Sequence, residues 1–361
     1  MLQLEPRLEN SRIWIVATPV VAVLCTLIAG GAMFAFIGID PIRAIQTIFW
    51  APLFDPALSG YAMPQILVKA APLILIAIGL SIGFRANIWN IGAEGQYIMG
   101  AICAGAIGLA FYPLNTWYIF PLMIFAGLIG GAAWGLIPAL LKTKFGANEI
   151  LVSLMLVYVA EHFLASVSLG ILRNPDGAGF PGSRNFQQYE SASNPELIAG
   201  TGIHLGVIFA LLAVIIAYAL IRFHKFGYYV NLTGKSLRAA RFSGINPARL
   251  TIICLCLSGA LAGLAGMFEL TGPAGQLSID FNVSYGFTAI IVAFLGRLHP
   301  IGIAAAGLLM ALTYIGGELA QFMLNLPSAA IQAFQGMLLF FLLALEFLTT
   351  YRVRFKLKRD A

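Results

Sequence analysis

Residues 83–96 read Gly83-Phe84-Arg85-Ala86-Asn87-Ile88-Trp89-Asn90-Ile91-Gly92-Ala93-Glu94-Gly95-Gln96. They lie between two apolar runs, 63–83 and 96–112, each close to the roughly 20 residues needed to cross a bilayer core. Within this stretch stand one cation, one anion, two asparagines, one glutamine and three glycines. Glycines and amides at this density interrupt a helix, and interrupted backbone is tolerated at membrane depth only where protein buries it or it lines a watery cavity. The stretch predicts a broken segment inside a membrane protein, with an ordinary cytoplasmic turn as the alternative.

The composition of the whole chain supports a membrane environment. The 361 residues are 60% hydrophobic and 10% charged, whereas soluble domains have roughly 45–50% and about 25%. The mean hydropathy is +0.89. A chain of this composition uses lipid as its solvent, which excludes a soluble enzyme.

Ten apolar windows follow one another along the chain. They cover residues 13–37, 63–83, 96–112, 117–141, 147–170, 203–223, 251–270, 285–295, 301–317 and 327–347. We therefore predict an all-α polytopic membrane protein with about ten transmembrane helices. The window 285–295 is shorter than a full crossing, so we expect broken or re-entrant segments near it. The run 259–266 places small residues every three or four positions, a spacing that lets helices approach closely.

Lysine and arginine are divided unevenly between the two sides of these windows. With the N-terminus placed in the cytoplasm, 17 fall inside. The four on the outer side are Arg43, Lys69, Arg173 and Arg184. Cytoplasmic loops carry an excess of positive charge, so both termini are predicted to be cytoplasmic. A segment 1–12 and a basic tail 349–361 then flank a transmembrane domain at 13–348, and topology explains the net charge of +6 without a nucleic-acid partner.

Motifs for metal binding, disulfides and ATP hydrolysis are missing from the sequence. The cysteines lie in apolar windows, where they are small buried hydrophobes: Cys25, Cys103, Cys254 and Cys256. Gly234-Lys235-Ser236 matches the end of a phosphate-binding loop, but Tyr229 stands where that loop needs its first glycine. We expect a chain that binds no metal or cofactor and does not hydrolyse ATP.

Two connections are longer than tight turns. The outer one, residues 171–202, is rich in Gly, Pro, Ser and Asn and reads as an irregular loop that could contact a delivery protein. The inner one, residues 224–250, holds Lys235, Arg238 and Arg241 at spacings near three. That pattern is typical of a short amphipathic helix on the cytoplasmic face. A solvated basic loop is the alternative that these residues leave open.

Charged side chains at bilayer depth need a reason, because each costs at least about 2.5–3.5 kcal/mol. Glu94, Glu161, His162 and Glu269 stand at such positions. They leave open a transporter driven by protons and, more remotely, an enzyme embedded in the membrane.

Two stretches of the chain carry a family resemblance. Residues 84–96, together with Tyr285-Gly286-Phe287-Thr288-Ala289-Ile290-Ile291-Val292-Ala293-Phe294-Leu295-Gly296-Arg297, closely resemble permeases of the branched-chain amino acid, simple sugar and nucleoside family of ABC importers. The resemblance extends from about residue 13 to residue 347 and is strongest to the nucleoside branch. It implies a type II importer fold in which two permease subunits form the pathway.

The resemblance also implies partners and a place in the cell. These are an ATPase subunit with two nucleotide-binding domains that binds ATP and Mg, a second homologous permease or a self-copy, and a periplasmic or lipoprotein substrate-binding protein. The implied location is the bacterial inner membrane. Residues 234–246 resemble the element that couples such permeases to the ATPase. The coupling residues so implied are Gly234, Lys235, Leu237, Arg238, Ala240, Arg241, Gly244 and Ile245.

The implied solute is a nucleoside moved by alternating access, with a simple sugar such as ribose as the alternative. A neutral nucleoside needs an aromatic or apolar wall for its base, and amide or carboxylate partners for its ribose hydroxyls. Chemistry and placement select a set of predicted pathway residues: Phe84, Trp89, Asn90, Glu94, Gln96, Glu269, Gln276 and Phe287.

Overall fold

The structure, a computed structural model, describes residues 2–6, 12–177 and 179–355. Its helices are α1 (Arg12–Phe36), α2 (Pro41–Ile45), α3 (Ala51–Phe54), α4 (Ser59–Arg85), α5 (Ala93–Ala110), α6 (Ile119–Phe145), α7 (Glu149–Leu169), α8 (Leu205–Phe223), α9 (Lys225–Lys235), α10 (Leu237–Phe242), α11 (Pro247–Thr271), α12 (Tyr285–Leu295), α13 (Pro300–Leu324) and α14 (Ser328–Thr350). A π-helical turn spans Gln46–Trp50, and 3₁₀ turns span Phe186–Gln188 and Ile279–Phe281. Four basic residues counted above lie outside the described residues: Arg7, Lys356, Lys358 and Arg359.

Each of the ten apolar windows coincides with a helix, and the predicted all-α membrane fold is confirmed. The ten are α1, α4, α5, α6, α7, α8, α11, α12, α13 and α14. Within the described part of the chain, eight of them are long and apolar enough to cross a membrane, the exceptions being α5 and α12. Helix α12 has 11 residues and is therefore about 16 Å long. It is the half-length segment that the sequence indicates.

Two short strands at the chain ends accompany the helices. β1 (Leu2–Pro6) and β2 (Tyr351–Phe355) pair antiparallel, with Leu2 opposite Phe355. The sequence predicted a cytoplasmic segment and a basic tail in these places, without a strand. A direct ladder places both ends of the chain side by side.

The helices form two compact units. Unit 1 comprises Met1–Met63 and Leu312–Ala361, and unit 2 comprises Pro64–Ala311. In unit 1, helices α1 and α14 pack together, and Phe34 stacks on Phe334 with ring centroids 5.9 Å apart. Ala44 of α2 is buried in the same apolar cluster.

Unit 2 is organised around α5, α6 and α11. These three helices pack closely because glycines face one another across their contacts. Any Cβ on Gly131 of α6 would collide with the carbonyl oxygen of Gly259 on α11, and one on Gly100 of α5 would collide with the backbone of Gly263. The small-residue run 259–266 therefore produces the close helix approach that it predicts.

The predicted break falls between α4 and α5. Residues 86–92 are irregular, and Asn87 adopts a left-handed conformation with φ of 58°. The end of α4 is closed by a hydrogen bond from the Ile88 amide to the Gly83 carbonyl oxygen, at 2.9 Å. A left-handed residue that bonds back to the last turn is a common helix terminator, and asparagine is among the few side chains that adopt it readily.

Candidate functional site

A pair of amide side chains holds the break in place. The Asn90 Nδ2 atom donates to Gln96 Oε1 at 2.8 Å and to Ser258 Oγ at 3.0 Å. The Asn90 Oδ1 atom accepts from Gln96 Nε2 at 3.2 Å and from the Gly92 amide at 3.0 Å. Asn90 and Gln96 are each 1% exposed. Both are predicted pathway residues, and the structure shows them bonded to each other and tying the break to α5 and α11. Their role in a solute pathway stays a prediction.

Glu94 joins the two stretches that carry the family resemblance. It lies in the first turn of α5, fully buried, and its Oε2 atom accepts a short hydrogen bond from the Gly286 amide at the start of α12. Helix N-termini carry partial positive charge, so this is a favourable place for a carboxylate. Any Cβ on Gly286 would collide with the Glu94 backbone. The glycine therefore permits the contact between α5 and α12.

Glu269 lies in a polar cluster with two tyrosines. The Tyr285 hydroxyl lies 3.5 Å from Glu269 Oε1, and the ring of fully buried Tyr97 is edge-on to that of Tyr285. The Lys69 Nζ atom lies 5.6 Å from the centroid of the Tyr285 ring. The Tyr285 hydroxyl offsets part of the cost of burying the carboxylate.

Phe84 and Trp89 form an aromatic cluster with Phe294 of α12. The ring centroid of Phe84 lies 5.1 Å from that of Trp89 and 5.3 Å from that of Phe294. The structure therefore brings two predicted pathway residues together, along with a third ring that the sequence did not single out. Of the remaining two, Gln276 is exposed in the segment that follows α11, and Phe287 is half-buried in the first turn of α12.

The implied coupling segment, residues 234–246, contains the last two residues of α9 and all of α10. Ser236 separates them and caps α10, because its Oγ accepts from the Ala239 amide at 3.3 Å. Ala240 is buried, whereas Leu237 is 48% and Phe242 96% exposed. The coupling residues Lys235, Arg238, Arg241 and Gly244 are also exposed, and Ile245 is half-buried. The result is a short helix that presents basic and apolar side chains together.

Phe242 is the residue of this segment that sequence reasoning missed. A large apolar side chain next to Arg241 in a basic loop was the available signal. The segment also contacts the break, since any Cβ on Gly234 would collide with the carbonyl oxygen of Arg85. Arg85 in turn donates from Nε to the Leu298 carbonyl oxygen at 2.9 Å. The end of α4, the end of α9 and the segment after α12 therefore meet.

A cavity lies at the opposite end of α4 and at the end of α11. We call it the loop-end pocket. It has a volume of about 500 Å³ and is lined by Gln65, Val68, Gln187, Ser193, Asn194, Pro195, Glu196, Gly202, His204, Thr271, Gly272 and Pro273. The sequence singled out none of these residues for the solute pathway, although six of them lie in the outer loop 171–202 that was predicted to contact a delivery protein. Its available signal was His204, a polar residue at the start of the apolar window 203–223.

His204 is the titratable group buried in the wall of this pocket. It caps α8, and its Nδ1 atom accepts from the Gly206 amide at 3.0 Å. Burial lowers the pKa of His204 to about 4, because removing the ring from water disfavours its charged form. The imidazole is therefore neutral at physiological pH.

Comparison with known proteins shows similarity to permease components of transport systems. Residues 62–343 match the family model described as branched-chain amino acid transport system, permease component. The chain is 32% identical over 363 residues to a glucose ABC transporter permease protein of Haloferax volcanii, which covers 98% of this chain and 93% of the relative. It is 27% identical over 351 residues to a guanosine ABC transporter permease protein of Bacillus subtilis. That alignment covers 94% of this chain and 96% of the relative. Identity to a nucleoside ABC transporter permease protein of Lactococcus lactis is 24% over 323 residues, covering 85% of each.

Proposed function

The chain belongs to the family of permease components of branched-chain amino acid transport systems, and from this premise we propose that it imports a small neutral solute built on a sugar ring. It is a multi-pass membrane protein and the permease subunit of an ABC importer. This family works with an ATPase and a substrate-binding protein.

The proposed solute class rests on what the whole-length relatives have in common. One of them is named for glucose and another for guanosine. Both solutes are uncharged and carry a hydroxylated ring, free in the first and as ribose in the second. The prediction of a nucleoside is supported by the guanosine and nucleoside relatives, whereas the 32% identity to the glucose permease supports a simple sugar. The single observation that supports this solute class is the similarity, along nearly the whole chain, to permease proteins named for glucose and for guanosine.

The proposed mechanism is alternating access without covalent chemistry by this chain. A substrate-binding protein, periplasmic or lipid-anchored, delivers the solute. ATP and Mg bind to a partner ATPase with two nucleotide-binding domains, and a second permease or a self-copy completes the pathway. The chain lies in the inner membrane with both termini in the cytoplasm. Its contribution is different affinity for the solute in its two states.

The proposed coupling path runs from α10 to the break. The ATPase contacts the exposed face that holds Leu237, Arg238 and Phe242. Displacement of α10 and α9 passes to the end of α4 through the close backbone contact of Gly234 with Arg85. Residues 86–92 follow directly and lead into α5, whose Glu94 contacts α12. Support comes from the unbroken chain of contacts between these elements.

Uptake in cells tests the proposed function. We would measure entry of radiolabelled glucose, ribose and guanosine in cells that lack the gene and in cells that regain it. Arg238→Glu reverses a charge on the exposed face of α10, and Lys144→Glu reverses an exposed charge at the end of α6 as the matched control. We expect uptake that needs the gene, fails in Arg238→Glu at normal membrane levels, and persists in Lys144→Glu.

Two results would contradict the proposal. Uptake that survives loss of every ATPase partner and collapses with an uncoupler would identify a proton-driven carrier. Gene-dependent uptake of branched-chain amino acids, with none of the sugars or nucleosides, would keep the importer and reject the solute class.

A further inference from the structure

Another cavity of unit 2 lies between α7 and the segment that precedes α12. We call it the mid-membrane cleft. It has a volume of about 370 Å³, and its polar lining residues are Glu161 and His162 of α7 and Asp280 and Asn282 of the segment before α12. His162 and Asp280 are exposed, and Glu161 is half-buried. The cleft therefore presents charged and polar side chains that a molecule in solution can reach.

The start of α12 gives the depth of the cleft in the membrane. Helix α12 is about 16 Å long. Shortly after its end, the Leu298 carbonyl oxygen accepts from Arg85, which contacts the coupling segment. The start of α12 is therefore about half of the roughly 30 Å hydrocarbon core away from that end of unit 2. Glu94 in the first turn of α5 accepts from the Gly286 amide, so α5 begins at the same level. Helices that begin inside the membrane are typical of solute sites in transporters.

Helix α7 places its polar residues at a similar depth. Glu161 lies about 18 Å from the first residue of this helix, near the middle of its 21 residues. Asp280 lies opposite, in the turn Ile279–Phe281 that contacts α7. Charged groups that face lipid at such depth are costly, so they normally face protein or a watery cavity. The open face of α7 at the cleft therefore belongs to an aqueous pathway.

The cleft is rich in hydrogen-bond acceptors. Asn282 Nδ2 donates to Glu161 Oε1 at 2.6 Å, which fixes this carboxylate and leaves its second oxygen for another donor. The Asp280 carboxylate adds acceptors, and the His162 imidazole can both donate and accept. No lysine or arginine lies among the described residues that line the cleft, so an anionic ligand would be repelled. Hydroxyl groups donate to carboxylates and accept from an imidazole, which suits a polyhydroxylated ring.

We propose that the mid-membrane cleft is a subsite of the solute pathway, in which Glu161, His162 and Asp280 bind the hydroxyl groups of a simple sugar or of the ribose of a nucleoside. A cavity of about 370 Å³ lies within the range of roughly 300–1,000 Å³ usual for small-molecule sites. The ligand class rests on the proposed function, whereas the location rests on the cleft and on the depth of its charged groups. These three residues are not among the pathway residues that the sequence predicts.

Two substitutions of similar shape test the carboxylates. Glu161→Gln keeps an oxygen for Asn282 Nδ2, and each of Glu161→Gln and Asp280→Asn replaces an acceptor by a donor. The matched control is Glu190→Gln, which removes an exposed carboxylate outside the cleft. The readout is equilibrium binding of tritiated glucose and tritiated guanosine to the complete permease and ATPase complex in lipid nanodiscs. We expect the two cleft variants to weaken binding at least about tenfold, as loss of a hydrogen bond to a charged group predicts, and the control to bind as the unmodified complex does.

Access of water to the cleft is a second readout, which does not depend on solute affinity. We expect His162→Cys and Asp280→Cys to react with a small charged methanethiosulfonate in membranes, and we expect glucose or guanosine to slow the reaction. The thiolate is the reactive form of cysteine and does not form in lipid. Ile215→Cys, exposed halfway along α8 and outside the cleft, is therefore the unreactive control. The unmodified chain corrects for the native cysteines.

Four outcomes would overturn the proposal. The unmodified complex would bind neither solute, or the two cleft variants would bind as well as Glu190→Gln. His162→Cys and Asp280→Cys would react as slowly as Ile215→Cys, or would form disulfides with the second permease, which would make the cleft a subunit contact. Protection of these cysteines by MgCl₂ or CaCl₂, and by neither solute, would make it a cation site.

Uptake by the complete transporter, measured in parallel, separates these results from failure of the proposed function. If gene-dependent uptake of glucose or guanosine persists while the cleft variants behave as their controls, the cleft assignment fails and the proposed function stands. If the unmodified transporter takes up neither solute, the proposed solute class fails, whereas the labelling still reports whether water reaches the cleft.

Discussion

At the scale of single residues, Asn90 shows how one side chain fixes a backbone break. It makes four hydrogen bonds, two of them with Gln96. We expect Asn90→Ala to destabilise the fold by about 1–3 kcal/mol, because the buried Gln96 amide and the Gly92 N–H lose their partner. Thermal unfolding in detergent measures the loss. With Gln96→Ala as the second member of a double-mutant cycle, the double variant should lose less than the two single losses added. Strictly additive losses would contradict the paired role.

His204 links residue chemistry to pH. In the unfolded chain a histidine has a pKa of about 6.5, whereas burial lowers the pKa of folded His204 to about 4. Between these values the unfolded state binds more protons, so stability contributed by the neutral ring is full above about pH 6.5 and is lost as the pH falls toward 4. We expect the unfolding midpoint to fall over this window, and to fall less in His204→Asn. If the unfolding midpoints of the unmodified chain and His204→Asn depended on pH in the same way, His204 would not be the group responsible. Glu196, which lines the same pocket, is present in both and cancels in the comparison.

Residue types in the site could be predicted, but their partners could not. The sequence singled out Asn90, Gln96 and Glu94 because polar groups are expensive among apolar windows. It gave no sign that Asn90 bonds to Ser258, which lies 168 positions further on, or that Glu94 meets Gly286. Such pairs depend on how helices are arranged in space, and one sequence without contacts does not contain that arrangement.

At the scale of elements, glycines set the distance between α6 and α11. A Cβ on Gly263 would lie 2.8 Å from the Cα of Gly131 and closer still to the Gly127 carbonyl oxygen. Both are backbone atoms that cannot move aside, so we expect Gly263→Ala to destabilise the fold by about 1–3 kcal/mol.

Gly336 of α14 provides the control for this prediction. It is exposed, and nothing lies within 4 Å of a Cβ built there. Gly336→Ala should stabilise by up to about 1 kcal/mol, because alanine favours a helix over glycine. Unfolding midpoints of the two variants should therefore move in opposite directions. If the unfolding midpoint fell by a similar amount in both variants, the close approach of α6 and α11 would not explain the effect of Gly263→Ala.

The long helices of this chain were predictable because membrane spans are long and apolar. Each of the ten apolar windows coincides with a helix. The two-helix form of residues 225–242 was predictable only in part. Their basic spacing near three indicated a helix, but Ser236 divides it into α9 and α10 by capping the second. The loop-end pocket was not predictable, since residues 189–202 are irregular and the position of this loop at the end of α11 depends on single bonds such as that from Gln187 Nε2 to the Gly272 carbonyl oxygen.

At the scale of the whole molecule, the paired termini restrict the number of membrane crossings. β1 and β2 are hydrogen-bonded, so both ends of the chain lie on one side and the number of crossings is even. Eight helices are long and apolar enough to cross, and α5 and α12 are the two others among the ten helices that match apolar windows. If all eight cross, then either α5 and α12 both cross or neither does. If α12 crosses, residues 279–295, which form one apolar stretch, must supply the length that its 11 residues lack.

Cysteine labelling decides between these two topologies. Ala57 directly precedes α4 and Gln188 lies between α7 and α8, and both are exposed. Four helices separate them, α5 included, so they share a side if α5 crosses and lie on opposite sides if it does not. We expect Ala57→Cys and Gln188→Cys to react with a membrane-impermeant maleimide in spheroplasts, and Ser243→Cys to react only in inside-out vesicles. The unmodified chain is the control for its four native cysteines, three half-buried and one buried. Labelling of Ala57→Cys and Gln188→Cys from opposite sides would leave α5 short of a crossing and, by the same parity, α12 as well.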